Sequence, residues 1–281
     1  MSAADASTQA PFEAKVASLR QRLSSLPGAV VAFSAGVDST MLLHACVAAL
    51  GDRVVAVTAD SPSLPRAELD EARRIASDLG VRHVVLPTRE VENPNYQKNA
   101  DDRCYHCKKE LFVTVAQRRA EVGPIDWPVV YGAILDDMGD HRPGQRAAAE
   151  HGVLAPLVDA GFWKQDVRRY SRDAGLPTAD KQSFACLSSR VPHGTAIDPA
   201  LLSRIERAEA VLRELGFRQF RVRHHGDLAR LELAPEELHA AILQREAIAS
   251  GVRRAGYLHV ALDLLGYRQG SWRAPQSEPQ A

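Results

Sequence analysis

The chain has 281 residues, 45% of them hydrophobic and 25% charged, and its 35 basic and 35 acidic residues give a formal net charge of +0. This length suits one large and one small domain, and the charge balance gives no bulk signal for a nucleic-acid or membrane partner. No apolar run could span a bilayer and residues 1–10 lack a signal core, so we expect a cytoplasmic protein whose four cysteines are reduced.

The first predicted elements surround a turn of small residues. Residues 12–23 predict a helix, residues 30–33 a buried strand and residues 41–50 a second helix. The segment at residues 34–40 joins the strand to the second helix. Such a turn offers backbone N–H groups and the positive end of a helix dipole to an anion such as phosphate. The alternative is an ordinary strand–turn–helix corner with a capping Ser or Asp.

This turn lacks the signatures of two common phosphate loops. It has no Gly-Lys-Ser/Thr, and Gly36 is its one glycine. Ser-x-Gly-x-Asp-Ser after a strand resembles the pyrophosphate loop of the ATP-pyrophosphatase (PP-loop) superfamily, usually Ser-Gly-Gly-x-Asp-Ser. Ala35 departs from that pattern, since it stands where the pattern has its first glycine. Unlike glycine, alanine disfavours a positive φ. The residues implied to bind ATP and its pyrophosphate are Ser34, Gly36, Val37, Asp38, Ser39 and Thr40.

Strands and helices continue to alternate after this turn. Strands are predicted at residues 54–57, 84–86 and 129–132, with a helix at residues 69–79. This order predicts an α/β fold with a doubly wound, mainly parallel sheet. Asp60 and Ser61 follow the second strand, at the edge that lines the ligand crevice of such sheets. The superfamily resemblance implies that they meet the adenine and ribose of ATP.

Two carboxylates follow the strand at residues 129–132. Asp136 and Asp137 could position Mg²⁺ or a substrate at the carboxyl end of that strand. The alternative is a solvated loop in which an Asp caps a helix that begins near Gln145. The sequence leaves both open. A further helix is predicted at residues 163–174.

Cys104 and Cys107 form a Cys-x-x-Cys pair in a polar segment, predicted as a loop that enters a helix at residues 108–119. The spacing permits a structural zinc, a dithiol redox pair, inert packing, or a site shared with a distant third cysteine. The sequence favours the shared site, because no second Cys-x-x-Cys exists to complete a zinc site.

Cys186 is flanked by small residues, with Lys181 and Arg190 nearby in sequence. These cations predict a lowered thiol pKa and a role as nucleophile or ligand. The alternative is a buried structural cysteine. Cys46 lies within the apolar face of the helix at residues 41–50 and is predicted to be core.

The pattern changes from residue 195 onward. A helix at 199–215, strands at 220–224 and 229–233, a helix at 235–254 and a strand at 260–264 predict a small α+β domain. Arg221 and Arg223 alternate along one strand, so they share a face that could grip a phosphate or be merely solvated. The predicted division is a tail at 1–11, a large domain at 12–194, a small domain at 195–272 and a tail at 273–281.

Five motifs in one order resemble the LarE family. They are Ser34-Ala-Gly-Val-Asp-Ser-Thr40, Asp102-Arg-Cys-Tyr-His-Cys-Lys108, Asp137-Met-Gly-Asp-His-Arg-Pro-Gly144, Ala185-Cys-Leu-Ser-Ser-Arg190 and Arg221-Val-Arg-His-His225. LarE proteins are ATP-dependent sulfur transferases of nickel-pincer nucleotide biosynthesis. The resemblance, over residues 12–272, implies ATP, Mg²⁺, pyridinium-3,5-biscarboxylic acid mononucleotide as substrate, and a homo-oligomer.

The resemblance also implies two sources for the sulfur. Cys186 could be consumed, or Cys104, Cys107 and Cys186 could hold a [4Fe-4S] cluster whose open iron carries sulfide from a sulfide donor or cysteine desulfurase. The cluster is favoured, because a sacrificial cysteine leaves the Cys-x-x-Cys pair without a role. Implied to bind the substrate phosphate are Ser189, Arg190, Arg221 and Arg223, with Glu232 and Arg268 as further candidates.

Other functions remain open. A PP-loop tRNA thiolase pairs the same loop with three cysteines, but a more basic surface or an RNA-binding appendage is expected there. A non-catalytic sensor would bind ATP or a metal and change partners. A carbon–nitrogen ligase would leave the cysteines unexplained.

Overall fold

The computed structural model describes residues 10–138, 143–182 and 185–268. The predicted tails, apart from residues 10 and 11, and residues 139–142 of the motif at 137–144 lie outside the described residues. The described residues fall into two compact units, within Met1–Glu90 with Cys104–Phe184 and within Val91–Arg103 with Ala185–Ala281. The domain boundary predicted between residues 194 and 195 stays a prediction, and the compact units divide the chain at other positions.

The first unit is built on a four-stranded parallel sheet. Its strands are β1 (Ala29–Ala32), β2 (Val54–Asp60), β3 (Arg82–Pro87) and β4 (Val129–Tyr131), in the order β3-β2-β1-β4. In register, Val31 of β1 lies opposite Ala56 and Val130, and all three are fully buried. A strand covered on both faces needs a continuous apolar run, which the sequence of β1 supplies. The predicted parallel sheet is confirmed.

The helices complete both units. In chain order they are α1 (Phe12–Ser24), α2 (Val37–Leu50), α3 (Arg66–Asp78), α4 (Pro94–Gln97), α5 (Arg103–Gln117), α6 (Arg119–Val122), α7 (Pro143–Glu150), α8 (Pro156–Asp159), α9 (Lys164–Asp173), α10 (Pro199–Glu214), α11 (Leu238–Leu243) and α12 (Arg245–Arg254). Short 3₁₀ turns lie at Glu90–Glu92, Leu135–Asp137, Leu187–Arg190 and Pro235–Glu237. Within the described chain, no helix combines the length and apolarity that crossing a bilayer requires.

Helices cover both faces of the first sheet. Val31 belongs to a core cluster with residues of α1, α2 and α9, whereas Val30 packs in another with Val115 of α5 and Val122 of α6. Successive side chains of β1 therefore serve opposite layers, as the pleat of a strand requires. This is the doubly wound arrangement that the alternating elements predict.

Cys104 and Cys107 lie in the first two turns of α5, so the prediction of a loop that precedes a helix at residue 108 was wrong. The helix begins at Arg103. The segment at residues 103–108 contains neither Gly nor Pro, and two acidic residues stand just before the helix, where they complement its positive dipole end. Three residues apart on one helix, the two cysteines share a face.

The second unit contains a smaller sheet of β5 (Phe220–His225), β6 (Leu228–Leu233) and β7 (His259–Leu262), in that order. β5 and β6 are antiparallel, and β6 and β7 are parallel. Apolar residues of α10 and α12 pack on this sheet in one cluster, which confirms the small α+β fold. The single helix predicted at 235–254 is divided, because Gln244 takes φ −98° and ψ 14° between α11 and α12.

Candidate nucleotide site and arginine cluster

The predicted phosphate loop is the turn between β1 and α2. Ala35, fully buried, has a φ of 55°, in the left-handed region that side-chain-bearing residues rarely adopt. Gly36 has a φ of −77° and is the extended N-cap of α2. The conformational demand of the turn therefore falls on Ala35, at the position where the PP-loop pattern usually has its first glycine.

Two serines fix the ends of this turn. Ser39 Oγ donates to Gly36 O at 3.1 Å and accepts from Ser34 N at 3.3 Å, and the two serine hydroxyls lie 3.2 Å apart. The first-turn N–H groups of an α-helix have no intrahelical acceptor, so the start of α2 can bind an anion. Among the described residues, Thr40 Oγ1 is buried without a hydrogen-bond partner at the same helix end. An unpaired buried hydroxyl is costly and therefore fits a site that a ligand completes.

Lys164 joins two of the predicted carboxylates. Its Nζ donates to both carboxylate oxygens of Asp38, at 2.9 and 2.8 Å, and its backbone N–H donates to Asp136 Oδ2 at 2.7 Å. Burial raises the pKa of Asp38, which the charge of Lys164 opposes and that of Asp137 reinforces. Asp137 Oδ2 accepts the backbone N–H of Ile134 at 3.1 Å, so this carboxylate caps the 3₁₀ turn that contains it.

The end of β4 approaches the same helix terminus. A Cβ on Gly132 would lie 2.9 Å from Asp38 C and 2.9 Å from Ser39 N, closer than real contacts allow. The residue that follows β4 must therefore be glycine for the strand to pack against the first turn of α2. Gly132 belongs to none of the motifs that are recognisable from the sequence.

The side chains at the end of β2 and just after it already have protein partners. Asp60 Oδ1 accepts from Arg66 Nη1 at 2.6 Å, and Ser61 Oγ donates to Glu90 Oε1 at 2.5 Å. Ser63 Oγ donates to the same oxygen at 3.0 Å. Glu90 is 2% exposed, and its Oε2 has no hydrogen-bond partner in the described part of the chain. Contact of Asp60 and Ser61 with adenine and ribose stays a prediction.

Lys181, which lies near Cys186 in sequence, binds acceptors in the first unit. Its Nζ donates to Ala35 O, Glu68 Oε2 and Glu71 Oε2, all within the first unit. The lysine is therefore bound to the phosphate loop and α3. The predicted influence of Lys181 on Cys186 stays a prediction.

Arg190 forms a buried ion pair in the second unit. Its Nε and Nη2 donate to Glu209 Oε1 and Oε2 at 2.8 and 3.0 Å, and neither side chain is more than 2% exposed. Burial alone would raise the pKa of Glu209, but Arg190 holds that pKa below its usual range. Arg190 Nη1 also donates to Ser189 Oγ and to the carbonyls of Ala185 and Cys186. Arg190 thereby binds the main chain at Cys186, and its expected effect on the thiol stays a prediction.

Three further arginines lie on the strands β5 and β6 of this unit, and together with Arg190 they form what we call the arginine cluster: Arg190, Arg221, Arg223 and Arg230. Arg223 donates to Glu232 Oε2 at 2.9 Å through Nε and to Ser189 O at 2.9 Å, and Arg230 pairs with the other oxygen of Glu232 at 3.1 Å. Burial and the nearby Arg190 lower the pKa of Arg221. Arg221 and Arg223 are only 8% and 6% exposed, so the solvated-face alternative was wrong.

The cysteines occupy different surroundings. Cys46 is a fully buried core residue, as predicted, and burial raises its pKa to about 12. Cys104 is exposed, whereas Cys107 and Cys186 are partly buried. The first two belong to the first unit and Cys186 to the second. Within the described residues, no group of three or more His, Cys, Asp or Glu side chains is placed to hold a metal ion. Cys104 and Cys107 lie on one helix face, and their thiolates are suitable donors for iron.

Several site residues carried no sequence signal of their own. Lys164 stands at the start of an ordinary predicted helix, and Glu209 lies inside another. Lys164 lies 126 positions from its partner Asp38, and Glu209 lies 19 positions from its partner Arg190. A lysine or glutamate becomes recognisable as part of a site only when the fold brings its partner close.

Comparisons with known proteins agree with this geometry. The family profile described as Queuosine biosynthesis protein QueC matches residues 28–109. The uncharacterized protein slr1717 of Synechocystis is 41% identical over 261 residues, which cover 92% of this chain and 97% of that protein. The pyridinium-3,5-bisthiocarboxylic acid mononucleotide synthase of Lactiplantibacillus plantarum is 33% identical over 262 residues, 93% of this chain and 94% of that protein. At this identity and coverage the resemblance is confirmed, and the chain belongs to the LarE family of PP-loop proteins.

Proposed function

We propose that this chain is an ATP-dependent sulfur transferase acting on pyridinium-3,5-biscarboxylic acid mononucleotide. It adenylates a carboxylate of this substrate, releases pyrophosphate and converts the carboxylate to a thiocarboxylate. The observation that carries the proposal is the loop between β1 and α2, in a chain that is 33% identical to a relative named for the bisthiocarboxylic product.

Adenylation solves the electronic problem of the reaction. A carboxylate is a poor electrophile until one of its oxygens is part of a mixed anhydride with AMP. The first-turn N–H groups of α2 would hold the departing pyrophosphate, aided by the helix dipole. Of the carboxylates Asp38, Asp136 and Asp137, one or two would bind the Mg²⁺ that accompanies ATP, whose other ligands would be phosphate oxygens and water, and the ion would neutralise phosphate charge. Lys164 orients two of these carboxylates through the bonds described above.

The arginine cluster of the second unit is the proposed subsite for the substrate phosphate. Arg221 and Arg223 are buried, and a guanidinium matches phosphate oxygens in pairs. Arg190 donates to Ser189 Oγ at 3.0 Å, so these two residues would shape the subsite next to Cys186. Glu209 pairs with Arg190 and Glu232 pairs with Arg223, and these ion pairs hold the guanidinium groups that would meet an anionic ligand.

Sulfur transfer has two proposed routes, both of which need Cys186. In the sacrificial route its thiolate attacks the acyl-adenylate, AMP leaves, and a thioester forms. Loss of the cysteine α-proton then breaks the Cβ–S bond, which leaves dehydroalanine and the thiocarboxylate. In the favoured alternative, Cys104, Cys107 and Cys186 would hold a [4Fe-4S] cluster, which when bound supplies an expendable sulfide.

ATP–pyrophosphate exchange tests the adenylation step. Exchange that depends on the biscarboxylate mononucleotide, and is lost in Asp38→Asn but retained in the surface variant Lys98→Met, is the expected result. Exchange that responds only to tRNA would replace this proposal with a tRNA thiolase. Tight ATP binding without exchange would favour a sensor.

The sulfur source is tested after anaerobic purification. About four irons and acid-labile sulfides per chain, lost in Cys104→Ala, with Cys186 unchanged in mass after turnover, is the expected result for the cluster route. No iron, with loss of the mass of H₂S at Cys186, would establish the sacrificial route. If the chain adenylates its substrate but gives neither of these two results, both routes are excluded.

A further inference from the structure

Lys181 gathers three oxygen acceptors from two separate elements. Its Nζ lies 3.1 Å from Ala35 O, 2.8 Å from Glu68 Oε2 and 2.5 Å from Glu71 Oε2. An ammonium has three N–H donors, so each donor has an acceptor here. The side chain is 16% exposed. Water therefore competes weakly for these bonds, and the geometry is fixed.

The main chain around Lys181 is held as firmly as its tip. Arg168 of α9 donates through Nη1 to Ala179 O at 2.6 Å and through Nη2 to Lys181 O at 3.1 Å. The lysine thus spans from a clamped segment to the phosphate loop. Glu68 and Glu71, one turn apart on α3, provide the second anchor.

The acceptor in the loop belongs to a strained residue. Ala35 and Asn99 are the two non-glycine residues with positive φ in the described part of the chain. An alanine persists in this conformation only where its surroundings hold it there. The hydrogen bond from Lys181 fixes the carbonyl of Ala35, and a rotation of Ala35 to negative φ would turn its peptide groups out of this arrangement.

We propose that Lys181 is a positioning residue for ATP binding. Its ammonium, supported by Glu68 and Glu71, holds the carbonyl of Ala35 and thereby keeps the phosphate loop in the conformation that receives pyrophosphate. The inference rests on the proposed function, since it takes the ligand of the loop to be the pyrophosphate portion of ATP. In the usual loop pattern a glycine adopts this conformation without support, whereas in this chain Lys181 and α3 stabilise it.

The test is a double-variant cycle of Lys181→Met and Ala35→Gly. ATP affinity is measured by calorimetry with ATP and Mg²⁺, and KM and kcat by pyrophosphate exchange. We expect Lys181→Met to weaken ATP binding by about tenfold, because the left-handed conformation costs alanine roughly that factor. The KM for ATP should rise with little change in kcat. In the double variant, Ala35→Gly should restore most of the affinity, since glycine adopts either sign of φ.

Thermal unfolding separates positioning from general support. Recovery of ATP affinity in the double variant, without recovery of the unfolding midpoint, is expected. If the double variant binds ATP as weakly as Lys181→Met, the proposal is overturned. In that case the lysine contacts phosphate directly or only stabilises the fold, and a glycine at position 35 cannot compensate for its loss.

Two further measurements keep the outcome decisive. Lys181→Arg, which keeps the charge but not the three-way geometry, should bind ATP with intermediate affinity if Lys181→Met does not fold. Affinity equal to that of the unaltered chain would overturn the proposal. Failure of the unaltered chain to bind ATP would overturn the proposed function and this inference together, whereas normal binding in both the unaltered chain and Lys181→Met overturns the inference alone.

Discussion

Lys164 Nζ lies within 2.9 Å of both carboxylate oxygens of Asp38, although 126 positions separate the two residues. Both side chains are partly shielded, with 33% and 26% exposure. Burial raises the pKa of Asp38 and Lys164 opposes that effect. The ammonium of Lys164 therefore limits how far burial raises the pKa of this carboxylate at the end of the phosphate loop.

We expect Lys164→Met to raise the pKa of Asp38 further. Without the ammonium, burial and the charge of Asp137 are opposed more weakly, so Asp38 stays protonated to higher pH. Because the proposed site uses Asp38 as a carboxylate, the acidic limb of the pyrophosphate-exchange profile should move to higher pH. A carbon-detected NMR titration of Asp38 measures the pKa directly. The exposed Lys98→Met is the control, and an unmoved limb in Lys164→Met would contradict the prediction.

Gly132→Ala should disturb the start of α2. The added Cβ would meet the backbone of Asp38 and Ser39 at 2.9 Å, and backbone cannot yield as a flexible side chain can. We expect a loss of about 1–3 kcal/mol of stability, typical of overpacking, together with weaker ATP binding. Gly36→Ala is the control for stability, because its Cβ meets only Ser34 Oγ at 3.4 Å and its φ is −77°. Equal unfolding free energies for the two variants would refute the explanation.

Local patterns predicted the sheet and its order of elements well. The apolar runs of β1 and β2 have the length of strands buried on both faces, and turn residues punctuate them. The phosphate loop was recognisable because residues 34–40 act through their own backbone. Information of this kind lies within a few residues along the chain.

The remaining features depend on contacts that the sequence does not reveal. Cys104 and Cys107 were predicted to lie in a loop because the segment before residue 108 is polar and irregular, whereas helix propensity extends α5 back to Arg103. Arg190 and Lys181 stand near Cys186 in sequence, yet their charged groups bond Glu209 and the first-unit loop respectively. Long side chains choose partners in space, and sequence proximity is a poor guide to that choice.

Alkylation should distinguish the cysteines in the folded protein. Cys46 is fully buried with its pKa raised to about 12, so almost no thiolate exists there near neutral pH. Cys104 is exposed and should react with iodoacetamide far faster in cluster-free protein. Peptide mass spectrometry over a time course gives both rates. If Cys46 is labelled as fast as Cys104 in the native state, the assignment of Cys46 as buried is wrong. Labelling of Cys46 that requires urea agrees with that assignment.

Arg190→Met should destabilise the second unit, and the loss should depend on pH. Removing the arginine leaves Glu209 buried with its charge poorly matched, which costs about 3–5 kcal/mol in comparable cases. In the unaltered chain the pKa of Glu209 is lowered from 4.5, so its stabilisation is present above that value and is lost as pH falls through the folded-state pKa. In the variant that pKa rises, and the stability deficit should narrow as the pH is lowered and Glu209 takes up a proton. Urea unfolding from neutral pH down to the ordinary carboxyl range measures this difference.

The matched control is Arg190→Met with Glu209→Gln, which keeps an acceptor for the Val222 N–H at 3.1 Å and should recover at least half of the loss. A deficit that stays constant with pH, or that the second substitution fails to relieve, would mean that lost packing rather than an unpaired carboxylate causes the destabilisation.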